Sequence, residues 1–162
     1  MRHYDYWVRS GLSDPGRSLS DILNRTAIER PDRPATQFLG AQLTFLDLKQ
    51  RADALAAALA RFGIVKGDRV GIMLPNCPQL FIAQFGAWKL GAIVAPLNPI
   101  YTEHELEGPL RDHGVETVVT LTRFYQRVKN VQTRNGVRRG GANNIKETFP
   151  TLRGVLCALL RE

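Results

Sequence analysis

The sequence predicts an α/β fold built around a mostly parallel sheet, on three observations. The stretch Leu74 to Pro99, LPNCPQLFIAQFGAWKLGAIVAPLNP, is apolar on nearly all sides and bracketed by proline. Strand and helix signals alternate on both sides of it. The composition, 44% apolar and 23% charged over 162 residues, fits one soluble globular domain or a piece of a larger one, with length enough for a sizeable core.

The elements follow in chain order. Ser18 to Arg30 reads as a helix with Leu19, Ile22, Leu23 and Ala27 on one face, ended by Pro31 and Pro34. Phe38 to Leu43, with Gly40 inside it, reads as a short hairpin or a turn between strands. Thr44 caps a long helix along which Phe45, Leu48, Ala52, Leu55, Ala56, Leu59 and Phe62 keep helical spacing. Asp47 at the third position makes an imperfect capping box, and Gly63 ends the helix. After the Gly67-Asp68 turn, Val70, Ile72, Met73 and Leu74 form a strand. Pro78 opens the next helix, at a position where its missing N–H costs nothing, and Gly91 stands where a left-handed C-terminal cap belongs. Ile93 to Leu97 is the following strand. Thr102 and Glu105 form a capping box for a further helix, and Val115 to Thr120 is another strand. Strands apolar on both faces, joined through helices, imply a parallel sheet with right-handed crossovers.

A membrane span does not fit the apolar stretch. A span needs about 20 consecutive apolar residues. Gln84 and Lys89 interrupt this run, and Gly91 and Pro96 break the helix. A charge at mid-span costs about 2.5–3.5 kcal/mol even on the lenient insertion scale.

The order LTFLDLKQRADALAAAL, then KGDRVGIMLPNCPQ, then WKLGAIVAPLNPIYTEHELEGPLRDHGVETVV resembles the start of the AMP-forming acyl-CoA synthetases, in the acyl-adenylate-forming superfamily. Leu43-Thr44-Phe45 through Leu48 matches the first core motif, and Lys89-Leu90-Gly91-Ala92 through Pro96-Leu97-Asn98 the second. The resemblance covers residues 18 to 122, and the tail to Glu162 resembles the segment that follows in bacterial long-chain fatty-acid ligases. It implies the N-terminal part of the large domain of such a ligase. The full-length family activates a carboxylate with ATP and passes the acyl group to coenzyme A, so ATP, Mg and CoA are implied for that family and none for this chain alone.

The family's phosphate loop is rich in Ser, Thr and Gly and carries a Lys, because backbone N–H groups and small side chains approach phosphate closely. Arg138-Arg139-Gly140-Gly141-Ala142 has no Ser or Thr and reads as a surface turn. No catalytic, cofactor-binding or metal-binding residue is assigned. His3, His104 and His113 lack ligand spacing, the latter two facing solvent. Glu103, Glu105 and Glu107 read as a solvated face with a cap, and Cys77 and Cys157 as reduced buried thiols. The expectation is therefore a chain that stops before its chemistry begins and is inactive alone, either one part of a ligase whose remainder is a separate chain or a non-catalytic interaction module. Two features depart from the family pattern and predict weak local order: Gly140 to Asn144, and Gly108-Pro109 inside the helix after Thr102, where proline costs roughly 3 kcal/mol.

The organisation expected is an N-terminal arm over residues 1–17, the α/β part over 18–122 and a basic extension over 123–162. Tyr4, Tyr6 and Trp7 in the arm are candidates to anchor it on the domain. From Arg123 onward, nine Lys or Arg against two Glu leave +7, while the first 122 residues carry thirteen of each sign. Few aromatics interleave those charges, so nucleic acid is not an expected partner. Pro150 suits a helix start. Leu152, Val155, Leu156, Leu159 and Leu160 follow helical spacing, which predicts a C-terminal amphipathic helix over 149–162. That stripe either packs on the domain or lies on an anionic membrane surface. With no secretory signal, the expected location is cytoplasmic, with peripheral contact at the inner membrane surface on the second reading.

Overall fold

The computed structural model describes residues 16–134 and 155–159. Helix α1 (Leu19–Glu29) starts at a capping box, in which the Ser18 hydroxyl accepts from Asp21 N–H and the Asp21 carboxylate accepts from Ser18 N–H at 3.0 Å. Strands β1 (Pro34–Phe38) and β2 (Ala41–Thr44) form an antiparallel hairpin. Its two turn residues, Leu39 and Gly40, have φ of 49° and 80°, as a two-residue loop matched to strand twist requires. Helix α2 (Phe45–Arg61) follows directly. The box expected to be imperfect is complete: Thr44 N–H donates to Asp47 at 3.0 Å and Asp47 N–H to the Thr44 hydroxyl at 3.1 Å.

The remainder alternates as the sequence predicts: β3 (Arg69–Met73), α3 (Pro78–Lys89), β4 (Ile93–Pro96), α4 (Glu103–Asp112) and β5 (Thr117–Leu121). Gly91 ends α3 at φ +73°. The sheet order is β4-β3-β5-β6, with β3 parallel to both β4 and β5. The chain leaves β3 to one side and returns past it to the other. Crossovers of one hand therefore place α3 and α4 on opposite faces.

The two cores show that arrangement. One gathers Leu23 of α1, Leu48, Leu55 and Leu59 of α2 and Ile82 and Ala87 of α3 over Val70, Ile72 and Val119. The other gathers Leu106 and Leu110 of α4 with Val128 and Val131 over Met73, Ala95 and Val118. Gly71 makes the second packing possible. A Cβ there would stand 2.8 Å from Val115 Cγ1 and 2.9 Å from Leu97 Cδ1, a clash in a core packed as densely as a crystal.

Two expectations need correction. The packed core does not end at residue 122, where the basic extension is expected to begin. After a 3-10 turn at Thr122–Phe124, helix α5 (Tyr125–Arg134) continues it, with Val128 and Val131 fully buried. Helix α4 contains Gly108-Pro109, as expected, and is continuous through Pro109. Its capping box fixes the start, Leu106 and Leu110 hold the buried side, and His113 N–H donates to the Pro109 carbonyl at 3.0 Å. The C-terminal amphipathic helix is not formed at Val155–Leu159, which is strand β6, antiparallel to β5. A short apolar run fits either state, and here it covers the edge that β5 would otherwise expose. The helical stripe expected over 149–162 is therefore not formed over Val155–Leu159. The aromatic arm, Gly140 to Asn144 and the Arg138–Ala142 turn lie outside the described residues.

Candidate functional site

In a doubly wound sheet, ligands bind outside the carboxyl ends of the strands, where the crossovers part to opposite faces. Here that point lies between β3 and β5, and three loops surround it: 74–77 after β3, 97–102 after β4 and 122–124 after β5. The Thr120 hydroxyl donates to the Met73 carbonyl at 3.1 Å, fully buried, and pins the two strand ends together.

The loop after β4 is held from α5. Arg127 Nη1 donates to the Pro99 carbonyl at 3.0 Å and to the Tyr101 carbonyl at 2.7 Å, and Asn130 Nδ2 donates to Glu103 at 2.7 Å. The guanidinium carbons of Arg123 and Arg127 lie 4.5 and 5.5 Å from the centre of the Phe124 ring. Two cations against one aromatic ring give this wall an electropositive character. Sequence reasoning missed Arg127. A signal was available in Phe124, Val128 and Val131, whose i, i+4, i+7 spacing marks a helix that would carry Arg127 towards the β4 loop.

A slot of about 150 Å³ lies between the hairpin and the start of α3, lined by Ala35, Thr36, Gln37, Phe38, Asn76, Cys77, Pro78 and Phe81. Among the described residues no charged side chain lines it. The Thr36 hydroxyl is shut from solvent and has no hydrogen-bond partner. Chemically the slot suits an apolar group bearing one polar atom.

The acidic residues nearby are committed to structure. The Glu105 carboxyl is held below the usual carboxylate range by the Thr102 backbone N–H and then by its hydroxyl, and Thr44 does the same for Asp47. Burial works against the charge on Asp53, but hydrogen bonds from Lys49 and Lys89 outweigh it, so its pKa is lowered. His104 and His113 are exposed, as expected, and Cys77 is a free buried thiol. Cys157 lies in β6, and His3 lies outside the described residues. Among the described residues no three His, Cys, Asp or Glu stand together as a metal site, and no helix is long and apolar enough to cross a membrane.

The family model for AMP-binding enzymes matches residues 23–156. The chain belongs to that family. It is 39% identical to a long-chain-fatty-acid–CoA ligase of Bacillus subtilis (strain 168) over 162 residues, 100% of this chain and 29% of the relative. It is 36% identical over 146 residues to a ligase of the same description from Yersinia pestis, 88% of this chain and 26% of the relative. Among solved structures, the N-terminal subdomain of Klebsiella oxytoca NpsA in complex with anthranilyl-AMSN superposes with a TM-score of 0.60 and 30% identity, covering 62% of this chain and 26% of that one. The chain thus spans under a third of the length of the curated relatives it matches. The fold is that of the N-terminal subdomain of acyl-adenylate-forming ligases.

A nucleotide is implied for this family, and the described residues do not form a phosphate cradle. Helix α3 opens with Cys77, which makes no side-chain cap, and Pro78, which has no N–H to offer. Helix α4 opens with Glu103 and Glu105, whose charges repel an anion. The electropositive wall at Arg123 and Arg127 lacks the backbone nest and the lysine that hold a triphosphate.

Proposed function

We propose that this chain is the N-terminal portion of an ATP-dependent long-chain fatty-acid–CoA ligase and that it does not turn over by itself. In the whole reaction the fatty acid carboxylate attacks the α-phosphorus of ATP and pyrophosphate leaves. The CoA thiol then displaces AMP to give the thioester. The observation that carries this reading is the 39% identity along the whole chain to a ligase of which it spans 29%. Mg, ATP and CoA belong to the complete enzyme, working in the cytoplasm. The role of this portion is to present the sheet's carboxyl end as one wall of the site. Arg127 holds the loop after β4, and the slot beside Thr36 offers an apolar surface. Phe38 and Phe81, 40% and 42% exposed at that slot, are a surface for the remainder of the ligase, whether joined to this chain or supplied as a separate partner.

Two measurements test this. The pure chain, incubated with ATP, palmitate, Mg and CoA, should release no pyrophosphate above background. Turnover by the chain alone would overturn its inactivity. A fusion of this chain to the segment of the Bacillus subtilis ligase that follows its matched region should form palmitoyl-CoA. A folded fusion with no turnover would overturn the ligase reading.

A further inference from the structure

The turn after β4 is held more firmly than an exposed loop requires. Leu97 N–H donates to the Ile72 carbonyl at 2.9 Å and ties the start of the loop to β3. Ile100 N–H then donates to Asn98 Oδ1 at 3.1 Å and Tyr101 N–H to the Asn98 carbonyl at 3.2 Å, so the asparagine closes the turn that follows it. The ring of Pro99 fixes its own φ. Tyr101 packs inward on the core that holds Leu106 and Val131. Arg127 takes the carbonyls on either side of Ile100, those of Pro99 and Tyr101. Ile100 itself is 79% exposed. A lone exposed apolar side chain is ordinary on a protein surface. This one stands between two carbonyls held by a half-buried arginine. Immobilising so long a side chain costs conformational entropy, which the two charge-assisted bonds to the turn must offset.

We infer that Arg127 is a positioning residue, which sets the 98–101 turn so that Ile100 contacts the hydrocarbon chain of the substrate at the rim of the site. This rests on the ligase reading above, which supplies an apolar substrate. Ile100 matches that substrate in kind, and residues 98–101, Asn-Pro-Ile-Tyr, carry no charge. The turn also lies at the carboxyl end of the sheet, where ligands of such sheets bind. The Arg127 guanidinium is engaged with the turn, so its influence on the substrate runs through Ile100.

Two measurements test this. In the intact chain, Arg127→Met keeps the apolar stem and removes both bonds. Amide hydrogen exchange should quicken several-fold at Ile100 and Tyr101 and stay unchanged at Leu110 in α4 and Val131 in α5. Uniform acceleration, or none at the turn, would overturn the positioning role. In the fusion to the Bacillus subtilis segment, Arg127→Met and Ile100→Ser should each raise the KM for palmitate about tenfold, the low end for lost apolar contact, with kcat and the KM for ATP unchanged. The double variant should be no worse than either single one, because one residue acts through the other. Ile100 is exposed, so Ile100→Ser leaves a folded protein to measure even where Arg127→Met does not fold. An unchanged KM for palmitate in Ile100→Ser would overturn the substrate contact. A parent fusion without turnover removes the ligase reading and the substrate contact with it, while hydrogen exchange still decides the hold of Arg127 on the turn.

Discussion

On one face of the sheet, helices of 11, 17 and 12 residues pack over β3; on the other, two helices of 10 residues lie over the same strand. The first face is closed by apolar side chains at close helical intervals, with six residues of α2 and four of α3 buried. The second has two buried anchors on α4, Leu106 and Leu110, and Val128 and Val131 on α5. Polar ties make up the difference: Arg127 to two carbonyls, Asn130 to Glu103 and the Thr102 capping box. A face fixed by many apolar contacts has little freedom to relax. One fixed by a few anchors and by ties to a loop can shift as a unit, and it is this second face that borders the electropositive side of the candidate site.

The largest effect expected from that difference is in core truncations. Leu59 and Leu106 are both fully buried, so Leu59→Ala and Leu106→Ala each remove the same group. Such changes cost about 2–5 kcal/mol, with the spread set by how far the cavity collapses. Leu59, between α2, α3 and the sheet, should fall near the top of that range, and Leu106 near the bottom because α4 can settle. Urea unfolding of the two variants gives the comparison. Equal losses would show that the faces are equally rigid.

This asymmetry also explains what was legible in the sequence. Helix α2 was readable because Leu48, Ala52, Leu55 and Leu59 repeat on one stripe, and its start because Thr44 and Asp47 stand three apart. The strand–helix–strand order from β3 to β4 followed from apolar runs broken at Pro78 and Gly91. Helix α5 was obscured by Arg123, Arg127 and Lys129, whose charges suggest a solvated extension, though its two valines and Phe124 carry a helical period. Strand β6 was misread because Val155 to Leu159 fits a helical stripe and a strand equally well, and only the neighbouring edge of β5 decides. In the candidate site, the hold of Arg127 on Pro99 and Tyr101 depends on residues 26 to 28 positions apart, a relation that no local pattern records.

A proline inside α4 is the next test, because it belongs to the weaker face. Pro109 provides no N–H for the Glu105 carbonyl, and the helix nevertheless runs on to Asp112. Pro109→Ala restores that bond and removes a residue about 3 kcal/mol less favourable than alanine within a helix. The variant should be more stable than the parent by up to about that amount, with a higher urea midpoint and an unchanged slope. A less stable variant would mean that the ring of Pro109 packs better than a restored helix bond, and α4 would then be less free to shift than the comparison holds.

The smallest effect belongs to the first face, in the ionic link that joins its helices. Lys89 Nζ lies 2.7 Å from Asp53 Oδ1 and also donates to Asn24 Oδ1, while Lys49 Nζ lies 2.7 Å from Asp53 Oδ2. One carboxylate thus ties α3 to α2, and Lys89 ties both to α1. Asp53 is 43% exposed, and pairs open to water contribute at most about 1 kcal/mol. Lys89 is only 12% exposed, so removing its partner leaves a largely desolvated ammonium. Asp53→Asn should therefore destabilise by about 1 kcal/mol at neutral pH, and less in high salt. The pH dependence has a definite sign. Because folding lowers the Asp53 pKa from its ordinary value of 3.8, its contribution is present above about pH 4 and disappears as pH falls through the lowered value. Asp47 is lowered as well and titrates in the same direction, so Asp53→Asn should reduce the acid loss of stability without abolishing it. Thermal unfolding of parent and variant between pH 3 and pH 7 measures this, and the two curves should converge towards low pH. A constant offset across that range would show that the carboxylate charge contributes nothing, and that α1, α2 and α3 are held together by apolar contact alone.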